Sequence, residues 1–179
     1  MKKRNGAAPS QLIVRSLTAR SQIGWLTIEG LCVPCALGRS GKIVRKREGD
    51  GATPVGSFPL RFALYRADRM LKPVTGLPIR TLSPFDGWCD DTTDRRYNCL
   101  VRHPYPASAE QLWRADNLYD VIVVIGHNYK PRLSGAGSAI FLHVARDGLK
   151  PTEGCIAVKA SDMRKVMARL RRNTRLWIF

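Results

Sequence analysis

A histidine and a cysteine share the stretch FLHVARDGLKPTEGCIAVKASDM, which runs from Phe141 to Met163. Cys155 follows His143 by twelve positions. An imidazole can take a thiol's proton, or pair with the thiolate and lower its pKa, and the thiolate is a strong nucleophile. An acyl intermediate formed on that sulfur needs hydrogen-bond donors aimed at its developing oxyanion, often backbone N–H groups. Gly154 permits backbone angles closed to other residues, so the amides of Gly154 and Cys155 are candidates for that task. By spacing alone the pair is described as well by two buried core residues, because a cysteine and a histidine this close occur often by chance.

Other reactive residue types compete for attention. His127 lies near the end of the run LYDVIVVIGHN, just past a buried-strand pattern, where a chain emerges into a site. With Asn128 it is expected either to line a substrate groove or to be a hydrogen-bonded structural histidine. His103 precedes Pro104 in a loop and receives no role. Cys32 and Cys35 have the C-x-x-C spacing of zinc or redox sites. A zinc site needs a second close pair, and Cys89 and Cys99 are ten apart with no histidine beside them. The chain after Cys35 enters a glycine turn rather than a helix, which argues against a thioredoxin-like motif. Small thiols buried in a strand and kept reduced account for the pair.

The reactive segment needs elements to hold it. Short apolar runs of strand length, with glycine at the breaks, fill the first half of the chain. Phe58–Leu64 alternates as a strand, and Val121–Ile125 is apolar throughout, as for a strand buried on both faces. Ala139–His143, Cys155–Val158 and Leu176–Phe179 read as further strands. Residues 73–94 read as loop. Ser108 is a candidate N-cap for a helix carrying Ala109, Leu112 and Trp113 on one face. Ser161 is placed to cap a second helix, Asp162–Arg171, with Met163, Val166, Met167 and Leu170 on its apolar side. The expected fold is mainly β with a few helices, a sandwich or barrel-like mixed sheet in a single domain.

The 30 Lys and Arg against 14 Asp and Glu give a net charge of +16, which favours anionic partners such as carboxylate-rich polymers. Nucleic acid is disfavoured as a partner: the basic residues are dispersed, with no interleaved aromatics and no RNP-like or finger spacing. Residues 1–10 are expected to be flexible. The basic start lacks the apolar run of a signal peptide, and no segment is long enough to span a bilayer. The sequence as it stands therefore implies a cytoplasmic location.

The segment around Cys155 resembles the catalytic region of the L,D-transpeptidase family, the YkuD-like cysteine enzymes of peptidoglycan metabolism. That family carries a histidine, a variable loop, then [Ser/Thr]-His-Gly-Cys and an apolar residue. The match here is His143, then Thr152, Glu153, Gly154, Cys155 and Ile156. REGDGATPVGSFPLR (47–61), GWCDDTTDRRYN (87–98) and LYDVIVVIGHN (118–128) are also similar to the family's short bacterial branch, so the likeness covers roughly residues 30–170. It implies a catalytic domain over 11–179, with Cys155 attacking the diaminopimelate–D-alanine bond of a peptidoglycan stem peptide. His143 is then the base, the Val144 carbonyl orients its ring, and Gly154 supplies an oxyanion N–H. No metal or organic cofactor is implied. Trp88, Asp90, Asp91 and Arg95 are implied groove residues, with Thr152 and Glu153 beside the substrate.

Two positions depart from the pattern: Glu153 replaces the usual second histidine, and Ala157 replaces an Asn or Arg. A carboxylate at 153 is expected to raise the thiol's pKa by like-charge repulsion. An amine acceptor for the acyl group gives a 3-3 cross-link and fits the family's periplasmic setting. Water as acceptor gives an L,D-carboxypeptidase, which fits cytoplasmic recycling of soluble muropeptides. A basic binding module that has lost catalysis is the alternative of a different class.

Overall fold

The computed structural model describes residues 10–179. The expected flexible N-terminus falls almost wholly on residues 1–9, outside the described residues. The strands in chain order are β1 (Gln11–Arg15), β2 (Ile23–Ile28), β3 (Leu31–Ala36), β4 (Lys42–Ile43), β5 (Thr53–Pro54), β6 (Gly56–Tyr65) and β7 (Ile79–Thr81). There follow β8 (Asp86–Cys89), β9 (Cys99–Arg102), β10 (Ala109–Gln111), β11 (Val121–Ile125), β12 (Phe141–Val144), β13 (Ile156–Val158) and β14 (Arg175–Ile178). One α-helix, α1 (Ala160–Arg169), lies between the last two strands. The fold is mainly β, as expected.

The large sheet runs β11-β12-β13-β3-β2-β1-β14-β6-β7, and β6 also pairs with β11. That pairing closes eight strands into a ring, with β7 beside the C-terminal half of β6. The long β6 makes closure possible: Gly56–Pro59 pair with β14, and Leu60–Tyr65 pair with β11. Alternating side chains from the ring strands fill the interior, among them Leu12, Leu26, Val33, Val123, Leu142, Ile156 and Leu176. Met163, Val166 and Met167 of α1 join the same cluster. Each such buried side chain contributes roughly 1.5–3 kcal/mol of transfer free energy.

A second cluster covers part of the barrel's outside. A three-stranded sheet, β10-β8-β9, lays Trp88 against Phe141, with Leu64, Leu112, Ile122 and Val124 around them. The Trp88 and Phe141 rings meet edge to face at 5.2 Å between centroids.

The local expectations fare unevenly. Val121–Ile125 is a strand with every residue buried, and the helix after Ser161 is present. That helix begins at Ala160 with Lys159 as its N-cap and no side-chain cap bond, so Ser161 is not the cap. The helix expected after Ser108 is absent. Ala109–Gln111 instead pairs antiparallel with β8, and Leu112 is fully buried in the second cluster. Pairing and burial there outweigh the helix propensity of Ala, Glu, Gln and Leu. Residues 73–94, read as loop, contain β7 and β8. No helix among the described residues is long and apolar enough to cross a membrane.

Candidate active site

β12 and β13 carry the two reactive residues. They pair in parallel with Leu142 opposite Ile156 and His143 opposite Ala157, so Cys155, just ahead of β13, lies across from Phe141. Leu142, Val144, Ile156 and Val158 point into the barrel. Alternation turns Phe141, His143, Cys155 and Ala157 to the outer face, where the second cluster begins. A parallel pair cannot be joined by a tight hairpin. The crossover from Ala145 to Gly154 contains a single 3-10 turn, Asp147–Leu149.

The end of this crossover is pinned from several sides. The Thr152 amide donates to Leu37 O at 2.9 Å, and Arg39 N donates to Thr152 O at 2.8 Å. The Thr152 hydroxyl donates to Cys155 O at 2.6 Å. Thr53, whose hydroxyl accepts from Gly38 N at 2.8 Å, reaches the same carbonyl at 3.5 Å. Gly154 has φ +130°, and a Cβ there would lie 2.8 Å from Ala52 O, so position 154 admits glycine for conformation and for space alike.

A cleft of about 470 Å³ opens over Cys155, His143 and Ala157. Glu110 of the small sheet and Asp90, just past β8, line it with Tyr119, while Arg114, Arg146 and Lys150 supply positive charge. Thr152 and Glu153 are also in its wall. Cys155 is 8% exposed; its thiol donates to Ala139 O at 3.2 Å and accepts from Phe141 N at 3.3 Å. Burial pushes this thiol up to about 12, Glu110 adds to the rise, and Lys46 opposes it. His143 is 6% exposed, with its ring edge to face against Tyr119 at 5.3 Å. Burial pulls His143 down to about 4, and Arg114 and Arg146 push the same way. His143 Nδ1 lies 2.8 Å from Val144 O. A carbonyl only accepts, so Nδ1 carries the proton and Nε2 is left as the basic nitrogen. Both shifts favour a thiol and a neutral imidazole at rest, and among the described residues no hydrogen bond joins His143 to Cys155.

Several expected site residues stand elsewhere. His127 and Asn128 do not line the cleft. His127 Nε2 bonds to Ala136 O at 2.8 Å and packs edge to face on Phe58. Asn128 accepts from Leu133 N and donates to Leu133 O and Gly137 O, so both residues fasten the 127–138 loop. Trp88 is 2% exposed, and its indole donates to Asn98 Oδ1 at 2.9 Å; it is core rather than groove. Arg95 and Asp91 lie outside the cleft, and Asp90 lines it.

The Gly154 amide, expected to face an oxyanion, donates to Thr152 Oγ1 at 3.1 Å. The Cys155 amide has no acceptor among the described residues. Glu153 does not contribute to the raised thiol pKa; its side chain is 78% exposed and pairs with Arg39 at 2.7 Å. The carboxylate that acts on the thiol is Glu110.

Sequence reading missed two charged residues. Lys46 has a side chain only 3% exposed, ion-paired with Asp50, and its Cε lies 3.5 Å from where a Gly154 Cβ would be. Glu110 reaches the cleft from β10. A lysine in a run as polar as RKREGD carries no sign of burial, and Glu110 sat in a segment read as helix. Cys32 and Cys35 are free thiols, the first exposed and the second buried.

The outer face of a mainly β barrel thus holds a buried thiol and a buried imidazole over one cleft. The sequence matches the family model for YkuD, the L,D-transpeptidase catalytic domain, over residues 19–178, and the chain belongs to that family. No curated protein matches it. A similar solved structure is that of Mycobacterium tuberculosis L,D-transpeptidase 1, at 13% identity and a TM-score of 0.41. The likeness covers 94% of this chain and 62% of that one.

Proposed function

We propose that residues 11–179 form a cysteine acyltransferase that attacks the diaminopimelate–D-alanine bond of a peptidoglycan stem tetrapeptide and passes the acyl group to an amine. The observation that supports this most is the placing of Cys155 and His143 on adjacent parallel strands, facing one cleft, with His143 Nδ1 held by Val144 O at 2.8 Å. His143 Nε2 takes the thiol proton as sulfur attacks the carbonyl carbon. The unclaimed Cys155 amide donates to the oxyanion. Collapse expels D-alanine, whose nitrogen receives the proton from the imidazolium, and leaves a thioester on Cys155. Arg114, Arg146 and Lys150 on the cleft wall suit the carboxylates of a stem peptide. Because the resting thiol is protonated, substrate binding must align the imidazole with the sulfur before attack.

The same thioester gives a 3-3 cross-link with an amine and a tripeptide with water. Incubation with a disaccharide-tetrapeptide, followed by mass spectrometry, separates the readings. A cross-linked dimer identifies transpeptidation, and loss of one alanine without a dimer identifies carboxypeptidase action. An unchanged substrate with folded protein leaves only a binding module. Cys155→Ala is expected to abolish both products, and a variant that kept activity would overturn the mechanism.

A further inference from the structure

Acylation as drawn above gives Glu110 no task. Its charge adds to the rise of the Cys155 thiol's pKa and so opposes the thiolate. The residue sits on β10 opposite Trp88, on the face of the small sheet turned to the barrel. Asp90, whose amide bonds to Ser108 O, follows β8 as a diagonal neighbour on that face. Both carboxylates line the cleft with Cys155. The Tyr119 hydroxyl donates to Glu110 Oε1 at 2.6 Å. The nearby Arg114 is already engaged, donating to both Asp116 oxygens at 2.8 and 2.6 Å.

Two polar atoms in the same wall are unpartnered. Asp90 Oδ1 is buried without a hydrogen bond, and so is the hydroxyl of Ser138, a cleft residue only 7% exposed. Buried polar atoms are rarely left this way. Two carboxylates and an idle hydroxyl beside a reactive sulfur match a donor-rich cation such as an ammonium group.

We propose that Glu110, with Asp90 beside it, binds the cationic amine that accepts the acyl group and takes its proton, so that Glu110 favours aminolysis over hydrolysis. This rests on the acyl-transfer reading above. The ammonium gives one proton to the Glu110 carboxylate, which releases it to water through the open cleft. The amine nitrogen then bonds to the thioester carbon. The carbon–sulfur bond breaks and its electron pair leaves with sulfur. The second amine proton passes through His143 Nε2 to the thiolate, restoring the thiol and leaving an amide.

The test supplies a stem tetrapeptide as donor and rising free diaminopimelate as acceptor, and reads the ratio of amide to hydrolysed tripeptide by mass spectrometry. The ratio counts only acyl-enzyme that has turned over, so it is independent of the acylation rate. For the wild type it is expected to rise with acceptor concentration. In Glu110→Gln it is expected to fall by at least about tenfold, with a higher acceptor KM. Should that variant fail to fold, Tyr119→Phe, which frees the Glu110 carboxylate, is expected to lower the ratio about threefold. Alanine release with an unchanged ratio in a folded variant, or a wild type that releases alanine but forms no amide at any acceptor concentration, overturns this inference alone. No alanine release by the wild type overturns the acyl-transfer reading, and the inference with it.

Discussion

Burial sets the resting state of both reactive side chains. With the Cys155 thiol pushed up to about 12, the protonated form dominates throughout the neutral range, and raising the pH raises the thiolate fraction. Alkylation of Cys155 by iodoacetamide, followed on its own peptide by mass spectrometry, is therefore expected to accelerate about tenfold per pH unit from pH 7 to 10. A plateau near pH 6 would instead reveal a preformed thiolate–imidazolium pair. Glu153 has less leverage than its place before the nucleophile suggests, because its exposed carboxylate is screened by water and held by Arg39. Glu153→His is expected to change acylation by only about threefold. Complete loss in a folded variant would show that position 153 does more than edge the cleft. His143 and Cys155 were legible in the sequence because they sit in one short motif. Lys46 and Glu110 were not, since only the tertiary fold brings their charges within reach of the sulfur.

Among the elements, the join between the small sheet and the barrel holds the thiol in place. Asn98 accepts from the Trp88 indole and from Ala139 N, and donates to His127 O and Asn128 O. Ala139 O in turn receives the Cys155 thiol. Asn98→Ala is expected to cost about 2–4 kcal/mol in urea unfolding, through several groups left buried without partners. It is also expected to slow acylation of the protein that remains folded; unchanged kinetics would separate this join from the site. Gly154→Ala should lose about 1–3 kcal/mol and most acylation, as φ +130° and the Ala52 carbonyl both exclude a side chain. Native stability with full activity would contradict that geometry. The pattern of the chain announced β11 and α1, whose apolar periods are long and unbroken. It misled at Ala109–Gln111, where three good helix formers become a strand because β8 offers an edge and Leu112 finds a pocket.

Over the whole molecule, the chain carries a charge of +16, and Arg114, Arg146 and Lys150 line the cleft. The KM for a stem peptide is expected to rise several-fold between about 0.05 and 0.5 M salt, as screening shortens the reach of that field, while kcat changes little. A salt-independent KM would show that capture depends on contacts within the cleft. Ring closure through β6 could not be read from any one segment, because it joins residues 56 to 65 positions apart along the chain. Closure also divides labour within each strand. Leu142 and Val144 face the interior while Phe141 and His143, their neighbours in sequence, face the chemistry. Heat tolerance and turnover can thus drift separately in this scaffold. A lineage moving to a warmer habitat can rebuild one side of β12 and β13 without rewriting the other.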